Sequence, residues 1–335
     1  MSSNAVAPQP WLAPLGALVG GAAALRAALY RRGLLPRARL QGPVISVGNL
    51  RVGGSGKTPV VAYVARLLMD AGRPVSILSR GYGGAARGPC LVVADGTSVL
   101  ADADAAGDEP VMLSRQLPGV VVAVGPHRDV VGRAVEERFG PRVHVLDDGF
   151  QHLRLARDLD IVCVTPSDLT DRPLPAGWLR EGRHALARAD VVLLADDGAA
   201  EGARNEVGPE RAFLVRRRTR GFFTADGQPR AAPRRAFLLS AIARPERFAA
   251  DVRAAGVDVA GHAAFRDHHR FRPEDLQAAW AKAHGTDAVV TTEKDLVRLR
   301  RAPDTPPLLV LRIDVEVADA ERFRSRVMDA VKERA

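Results

Sequence analysis

The sequence predicts an α/β protein: a parallel-sheet domain, a second, smaller α/β domain, and an N-terminal membrane-associating helix. Three observations carry this. Short β-branched runs alternate with helical patterns along most of the chain, as in strands joined by crossover helices. A glycine-rich loop separates a strand from a helix at residues 48–59. The first apolar stretch, Trp11 to Leu25, is followed by arginines rather than by a turn and a strand.

At 335 residues the chain is long enough for about two domains. With 47% hydrophobic residues and two cysteines, it is neither a disordered tail nor a disulfide-stapled miniprotein. The net charge of +9 is unevenly placed. Residues 1–69 hold eight basic residues and no acidic one, leaving 40 basic against 39 acidic beyond. A diffuse basic face for nucleic acid is therefore excluded. Lys57, Lys282, Lys294 and Lys332 are the only lysines, against 44 arginines. In such a chain a lysine tends to mark a position that needs a compact point charge.

Residues 1–33 form the N-terminal segment. The fifteen residues from Trp11 to Leu25 would reach about 22 Å as a helix, short of the ~30 Å hydrocarbon core. Met1 to Pro10 carries no Lys or Arg, so the positive start of a signal peptide is missing. The segment reads as a helix lying on or shallowly inserted in a membrane surface. Arg26, Arg31 and Arg32 would face anionic headgroups. The alternative is a helix packed on the folded domain.

Residues 34–210 read as the first domain, with strands expected at Val44–Val47, Val75–Leu78, Val120–Val124, Val143–Leu146, Ile161–Val164 and Val191–Leu194. Residues 211–235 hold eight arginines and one acidic residue, Asp226, and read as a solvated interdomain connection. Residues 236–335 form the second domain, with strands at Ala236–Leu239, Ala288–Thr291 and Leu308–Ile313 and a helix near Pro245–Ala255.

The loop after the first strand, GNLRVGGSGKTP, contains Arg51, Val52, Gly53, Gly54, Ser55, Gly56, Lys57 and Thr58. It has the form of a Walker A loop, which makes the first domain P-loop NTPase-type. Glycines let backbone N–H groups converge on phosphates, and the following helix adds its positive end. Lys57 would reach the β- and γ-phosphates and Thr58 would ligate Mg²⁺. Arg51 stands where the consensus has glycine. The strand Val143–Leu146 ends in Asp147 and Asp148, the acids that a P-loop needs to organise a metal. GDEP, with Asp108 and Glu109, reads on spacing alone as a helix cap. In FRDHHRF, Asp267 precedes His268 and His269, and one of the two imidazoles could accept a hydroxyl proton.

In order and number, these segments resemble the tetraacyldisaccharide 4'-kinase (lipid A 4'-kinase) family. The resemblance runs through ISVGNLRVGGSGKTP, LSRGYGG, GDEP, VGPHR, LDDGFQH, LPAGWLRE, SAIARPERF, FRDHHRF and TTEKD. It implies ATP-dependent phosphorylation of the 4'-hydroxyl of a tetraacylated glucosamine disaccharide 1-phosphate, with ATP and Mg²⁺ as cofactors. It also implies a lipid substrate, and a peripheral or monotopic location on the cytoplasmic face of the bacterial inner membrane. Matched by motif, Asp108 and His268 would form an acid/base dyad across the two domains. Asp147, Asp148 and Glu181 would belong to the metal and phosphate environment, and Arg80, Arg128 and Arg180 are candidate phosphate contacts. Nothing points to an obligate protein partner or to nucleic acid. Two rival readings share the loop: a GTPase or metallochaperone, and a non-catalytic membrane-associated nucleotide sensor. Guanine recognition commonly uses Asn-Lys-x-Asp, and TTEKD does not match it.

Overall fold

The computed structural model describes residues 9–53, 56–196, 198–299 and 305–332. A single 3-10 turn, Pro10–Leu12, opens into helix α1 (Ala13–Arg31). The first half continues with β1 (Val44–Asn49), α2 (Lys57–Asp70), β2 (Val75–Ser79), β3 (Leu91–Asp95), α3 (Ala103–Ala106), α4 (Asp108–Gln116) and β4 (Val121–Val124). It is completed by α5 (Arg128–Phe139), β5 (Val143–Asp147), β6 (Leu159–Val164), β7 (Val191–Ala195) and α6 (Ala200–Val207). Two strands follow, β8 (Ala212–Thr224) and β9 (Pro229–Arg230). The second half holds β10 (Arg235–Ser240), α7 (Pro245–Ala254), β11 (Asp258–Ala264), α8 (Pro273–Lys282), β12 (Ala288–Thr292), α9 (Glu293–Leu296), β13 (Leu308–Val317) and α10 (Ala320–Lys332).

The strands form one sheet in the order β11-β10-β12-β13-β8-β7-β6-β1-β5-β2-β4-β3, with β9 beside β8. The neighbours of β1, the strands β5 and β6, are both parallel to it. All six residues of β1 are buried, as expected for a parallel strand covered on both faces.

The direction of the sheet reverses between β8 and β13. Strand β8 is parallel to β7 over Ala212–Val215 and antiparallel to β13 from Val215 to Thr224. Its far end thus runs past the end of β7 and pairs with the start of β13, where β12 also pairs. The carboxyl ends of β10 and β12 consequently point back toward those of β1 and β5. Ligands of open α/β sheets sit at strand carboxyl ends, and here two sets of such ends face one another.

Segment 211–235 thus joins the two halves mainly as strand rather than as a solvated linker. Its ladder partners satisfy the backbone, and the exposed arginines find carboxylates on other elements. Arg217 reaches Asp251 at 3.0 Å, Arg218 reaches Glu316 at 3.3 Å, and Arg216 pairs with Asp196. The last helix returns to the first half: Phe323 of α10 is fully buried against Phe213 and Tyr63, with ring centroids 5.6 and 5.9 Å away. Truncating such a core phenylalanine costs about 3–5 kcal/mol.

Helix α1 is docked by its small residues. A Cβ on Gly16 would lie 2.8 Å from the Pro173 carbonyl oxygen, and one on Gly20 would lie 3.0 Å from the Pro173 ring. The helix therefore needs glycine to lie this close. The opposite surface leaves Trp11, Leu15, Leu18, Val19 and Leu25 exposed, Trp11 by 73% and Leu18 by 71%. The helix is thus both packed on the domain and apolar outward. It is also longer than the apolar stretch, because it continues through Arg26 to Arg31.

Candidate active site

Strand β1 delivers Asn49 to the start of the phosphate loop, and α2 begins at Lys57. Gly56, which caps α2, has φ +75°, a left-handed conformation that favours glycine. Lys57 donates to Asn49 Oδ1 at 2.9 Å and lies 3.1 Å from Asp148 Oδ1. Thr58 is the next residue of α2. Gly53 is in the loop, while Gly54 and Ser55 lie outside the described residues. Val52 is held through its N–H to the Trp178 carbonyl at 2.9 Å. The Arg51 guanidinium is paired through Nη1 with Asp168 at 3.0 Å and Asp171 at 3.1 Å, which braces the loop.

Asp147 ends β5, and Asp148 follows in a left-handed conformation, φ +55°. Ser79 donates to Asp147 Oδ2 at 2.9 Å, while Asp147 Oδ1 is buried with no hydrogen-bond partner among the described residues. Burial, with the Glu109 and Asp148 charges adding to it, pushes the Asp147 carboxyl up to about 7. Asp148 behaves oppositely. Burial alone would raise it, but Lys57 and Arg180 outweigh that and hold it below the ordinary carboxylate value. Arg180 Nη1 lies 2.7 Å from Asp148 Oδ2. Arg128, at the start of α5, is buried beside both aspartates, its Nε without a hydrogen-bond partner among the described residues, and Arg80 is exposed close to it. Of the three arginines expected at phosphates, Arg128 and Arg180 thus stand at the strand-end acids, and Arg80 stands by Arg128.

Arg188 grips Glu181 through two contacts, 2.8 and 3.1 Å, and stacks in turn on Phe150 at 4.3 Å. Both carboxylate oxygens of Glu181, a residue expected in the metal and phosphate environment, are thus held by an arginine.

Asp108 opens α4 and is buried. Its Oδ2 lies 2.7 Å from His268 Nδ1, and its Oδ1 lies 3.0 Å from Arg298 Nε. Burial works to raise Asp108, but the His268 hydrogen bond, Arg298 and Lys294 prevail and lower it. The carboxylate is therefore ionised at neutral pH. His268 is held in a left-handed conformation, φ +61°. His269 turns away, bonded to Asp275 at 2.9 Å and stacked on Phe265 at 4.6 Å. Of the two adjacent histidines, His268 is the one that meets Asp108.

Sequence reasoning missed Arg298, which lies in no recognised motif. Lys294 carried a signal through the scarcity of lysine, and it stands 3.3 Å from His268 Nε2. Glu109 was visible in GDEP, but its influence on Asp147 needed the fold.

A strand, glycine-rich loop and helix carrying Lys57, with acids ending the strand beside β1, define a P-loop nucleotide-binding protein. A family model described as tetraacyldisaccharide-1-P 4'-kinase matches residues 8–332, and the chain belongs to that family. A tetraacyldisaccharide 4'-kinase of Anaeromyxobacter dehalogenans (strain 2CP-C) is 46% identical, over 91% of this chain and 88% of the relative. One from Desulfotalea psychrophila is 38% identical over 89% and 90%. A crystal structure of LpxK from Aquifex aeolicus in complex with ATP is similar, with TM-score 0.80, 32% identity, and coverage of 96% of this chain and 98% of that one.

Proposed function

We propose that the protein transfers the γ-phosphoryl group of ATP to the 4'-hydroxyl of a tetraacylated glucosamine disaccharide 1-phosphate, a step of lipid A biosynthesis. The observation that carries this reading is the meeting of Asp108 and His268, 160 residues apart, next to the acids and Lys57 of the phosphate loop. Family membership agrees with it. Phosphoryl transfer depends mainly on positioning and charge stabilisation. In this reading the loop and Lys57 hold the β- and γ-phosphates, and Arg80, Arg128 and Arg180 balance phosphate charge. The Asp108–His268 dyad takes the proton of the acceptor hydroxyl. Residues 34–210 and 236–335 act as two lobes about the cleft, joined through 211–235, with α10 packed back on the first lobe.

Mg²⁺ fits this donor set. Asp147 Oδ1 is buried with no hydrogen-bond partner among the described residues, and the Glu109 and Asp148 charges both act on that carboxyl, so a cation there would be stabilised. Thr58, Asp147 and Asp148 would hold it, and when bound it would neutralise phosphate charge.

One consequence concerns stability. An unfolded aspartate releases its proton near pH 4, whereas Asp147 in the fold retains it to about 7. The folded state therefore binds the extra proton across that window, and this group lowers stability as pH rises from about 4 to about 7. In chelator-treated protein, Asp147→Asn is expected to be more stable at pH 8 by on the order of 2 kcal/mol, with the gain shrinking toward pH 5. The same substitution should lower turnover about 100-fold or more. Urea melts at the two pH values check the first part; a less stable Asn variant at pH 8 would contradict it.

We place the protein as peripheral or monotopic on the cytoplasmic face of the bacterial inner membrane. The exposed apolar face of α1 and the arginines at its C-terminal end support this. Deleting residues 1–32 should release the protein from anionic vesicles while ATP binding is retained. Unchanged flotation with vesicles would put the membrane contact elsewhere.

Nucleotide choice and acceptor dependence test the function itself. ATP, not GTP, should raise the thermal midpoint, and ADP release should require a mixed micelle of the acceptor. Preference for GTP would favour the GTPase or metallochaperone reading. ATP binding without acceptor-dependent turnover would favour a sensor.

A further inference from the structure

Both ring nitrogens of His268 are occupied. Asp108 is ionised and has no proton to give, so the 2.7 Å contact to Nδ1 is made by an N–H of the imidazole. In the neutral ring Nε2 is then an acceptor, and what faces it is the ammonium of Lys294 at 3.3 Å. Lys294 also donates to Asp267 Oδ1 at 3.1 Å, and Asp267 Oδ2 lies 3.8 Å from Nε2. The position is built: Thr292 caps α9 through Asp295, and Asp295 is fully buried against the Ala241 N–H. Lys294 and Arg298 thus reach the dyad from one short segment, on opposite sides of the imidazole–carboxylate pair. Around the ring stand Asp108 of α4 with Arg298 behind it, Asp267 of the same loop, Lys294 of α9 and the edge of Tyr82, centroids 5.8 Å apart.

We propose that Lys294 is a positioning residue for the proton acceptor: its ammonium meets Nε2 of His268 while Asp108 holds Nδ1, so the ring is fixed from both ends, and Lys294 yields the Nε2 lone pair to the acceptor hydroxyl. The proposal rests on the reading of His268 as proton acceptor. As the acceptor oxygen bonds to the γ-phosphorus, the bond from phosphorus to the ADP oxygen breaks and the hydroxyl proton passes to Nε2. The imidazolium then returns its proton to water.

The test uses full-length protein with ¹⁵N-labelled histidine, the His268 signal being assigned by its loss in His268→Gln. Wild-type enzyme at pH 8 should show Nδ1 protonated and Nε2 bare. In Lys294→Met the acid limb of kcat/KM should move to higher pH, with KM for ATP near wild type. Lys294→Arg should restore most of the wild-type profile, and Asp267→Asn should shift it in the opposite direction. An unchanged kcat/KM profile in Lys294→Met, or shifts of the same sign in the Met and Asn variants, would overturn the proposal. Full turnover in His268→Gln would instead overturn the proton-acceptor reading, and it is read independently of the Lys294 profiles.

Discussion

Lys57→Ala should lower kcat/KM by about 10³, equivalent to about 4 kcal/mol of transition-state stabilisation, with little change in the urea midpoint. The size follows from the position. Lys57 is the first residue of the helix behind the phosphate loop, and its ammonium is aimed by Asn49 and Asp148. No other lysine stands there, and two of the arginines nearby are already engaged: Arg51 with Asp168 and Asp171, Arg180 with Asp148. The fold should tolerate the loss because Asp148 keeps Arg180. Lys57→Arg should rescue poorly, since a planar fork does not reproduce a compact charge between two phosphates. Steady-state kinetics together with urea melts check this, and an active Ala variant would move the phosphate site away from this loop.

His268→Ala should lower turnover by 10²–10⁴, the range of a general base, and leave ATP affinity near wild type, because the phosphate loop belongs to the other half of the sheet. Asp108→Ala should lose a similar factor of turnover and also stability. Its removal strips the buried Arg298 of one carboxylate, and uncompensated buried charge costs about 3–5 kcal/mol. Asp295 at 3.5 Å and the His269 carbonyl at 2.9 Å remain to Arg298, so the observed loss should fall at or below the low end. The double variant should be hardly less active than the worse single one, as for residues that act as a unit. Single-turnover kinetics with separate measurement of ATP binding would show this. Near-wild-type turnover in both single variants would remove the dyad from the chemistry.

The parts of the fold that depend on local pattern were legible. Strands β1, β2, β5, β6 and β7 are fully or almost fully buried runs of branched residues, and their hydrophobic blocks stand out in sequence. Strands β3 and β11 were not anticipated. They are the two edges of the sheet, and residues such as those of DVAGHAA are half exposed and carry no alternation. Strand β8 lies in segment 211–235, whose eight arginines and single acidic residue read as a solvated interdomain connection, whereas pairing on both sides and carboxylates from distant elements make it strand, a tertiary override of local preference.

The site divides in the same way. The phosphate loop and the aspartate pair are contiguous in sequence and could be found there. Asp108 and His268 came from the family resemblance, since GDEP by itself is an ordinary helix cap. The choice of His268 over His269 turns on one left-handed residue and on Asp275, which no spacing rule reveals. For Glu181 the sequence offers only the motif, and the fold adds Arg188, seven residues on, holding both of its oxygens.

The central claim is that one cleft, assembled from strand ends of both halves, moves phosphate from ATP to a single sugar hydroxyl of a lipid. The most direct measurement supplies γ-labelled ATP with two acceptors in mixed micelles, the intact disaccharide 1-phosphate and one lacking the 4'-hydroxyl. The product is then located by phosphorus NMR. Label on the 4'-oxygen of the intact acceptor alone is the predicted result; label on both acceptors, or on neither with a folded, ATP-binding protein, would contradict it.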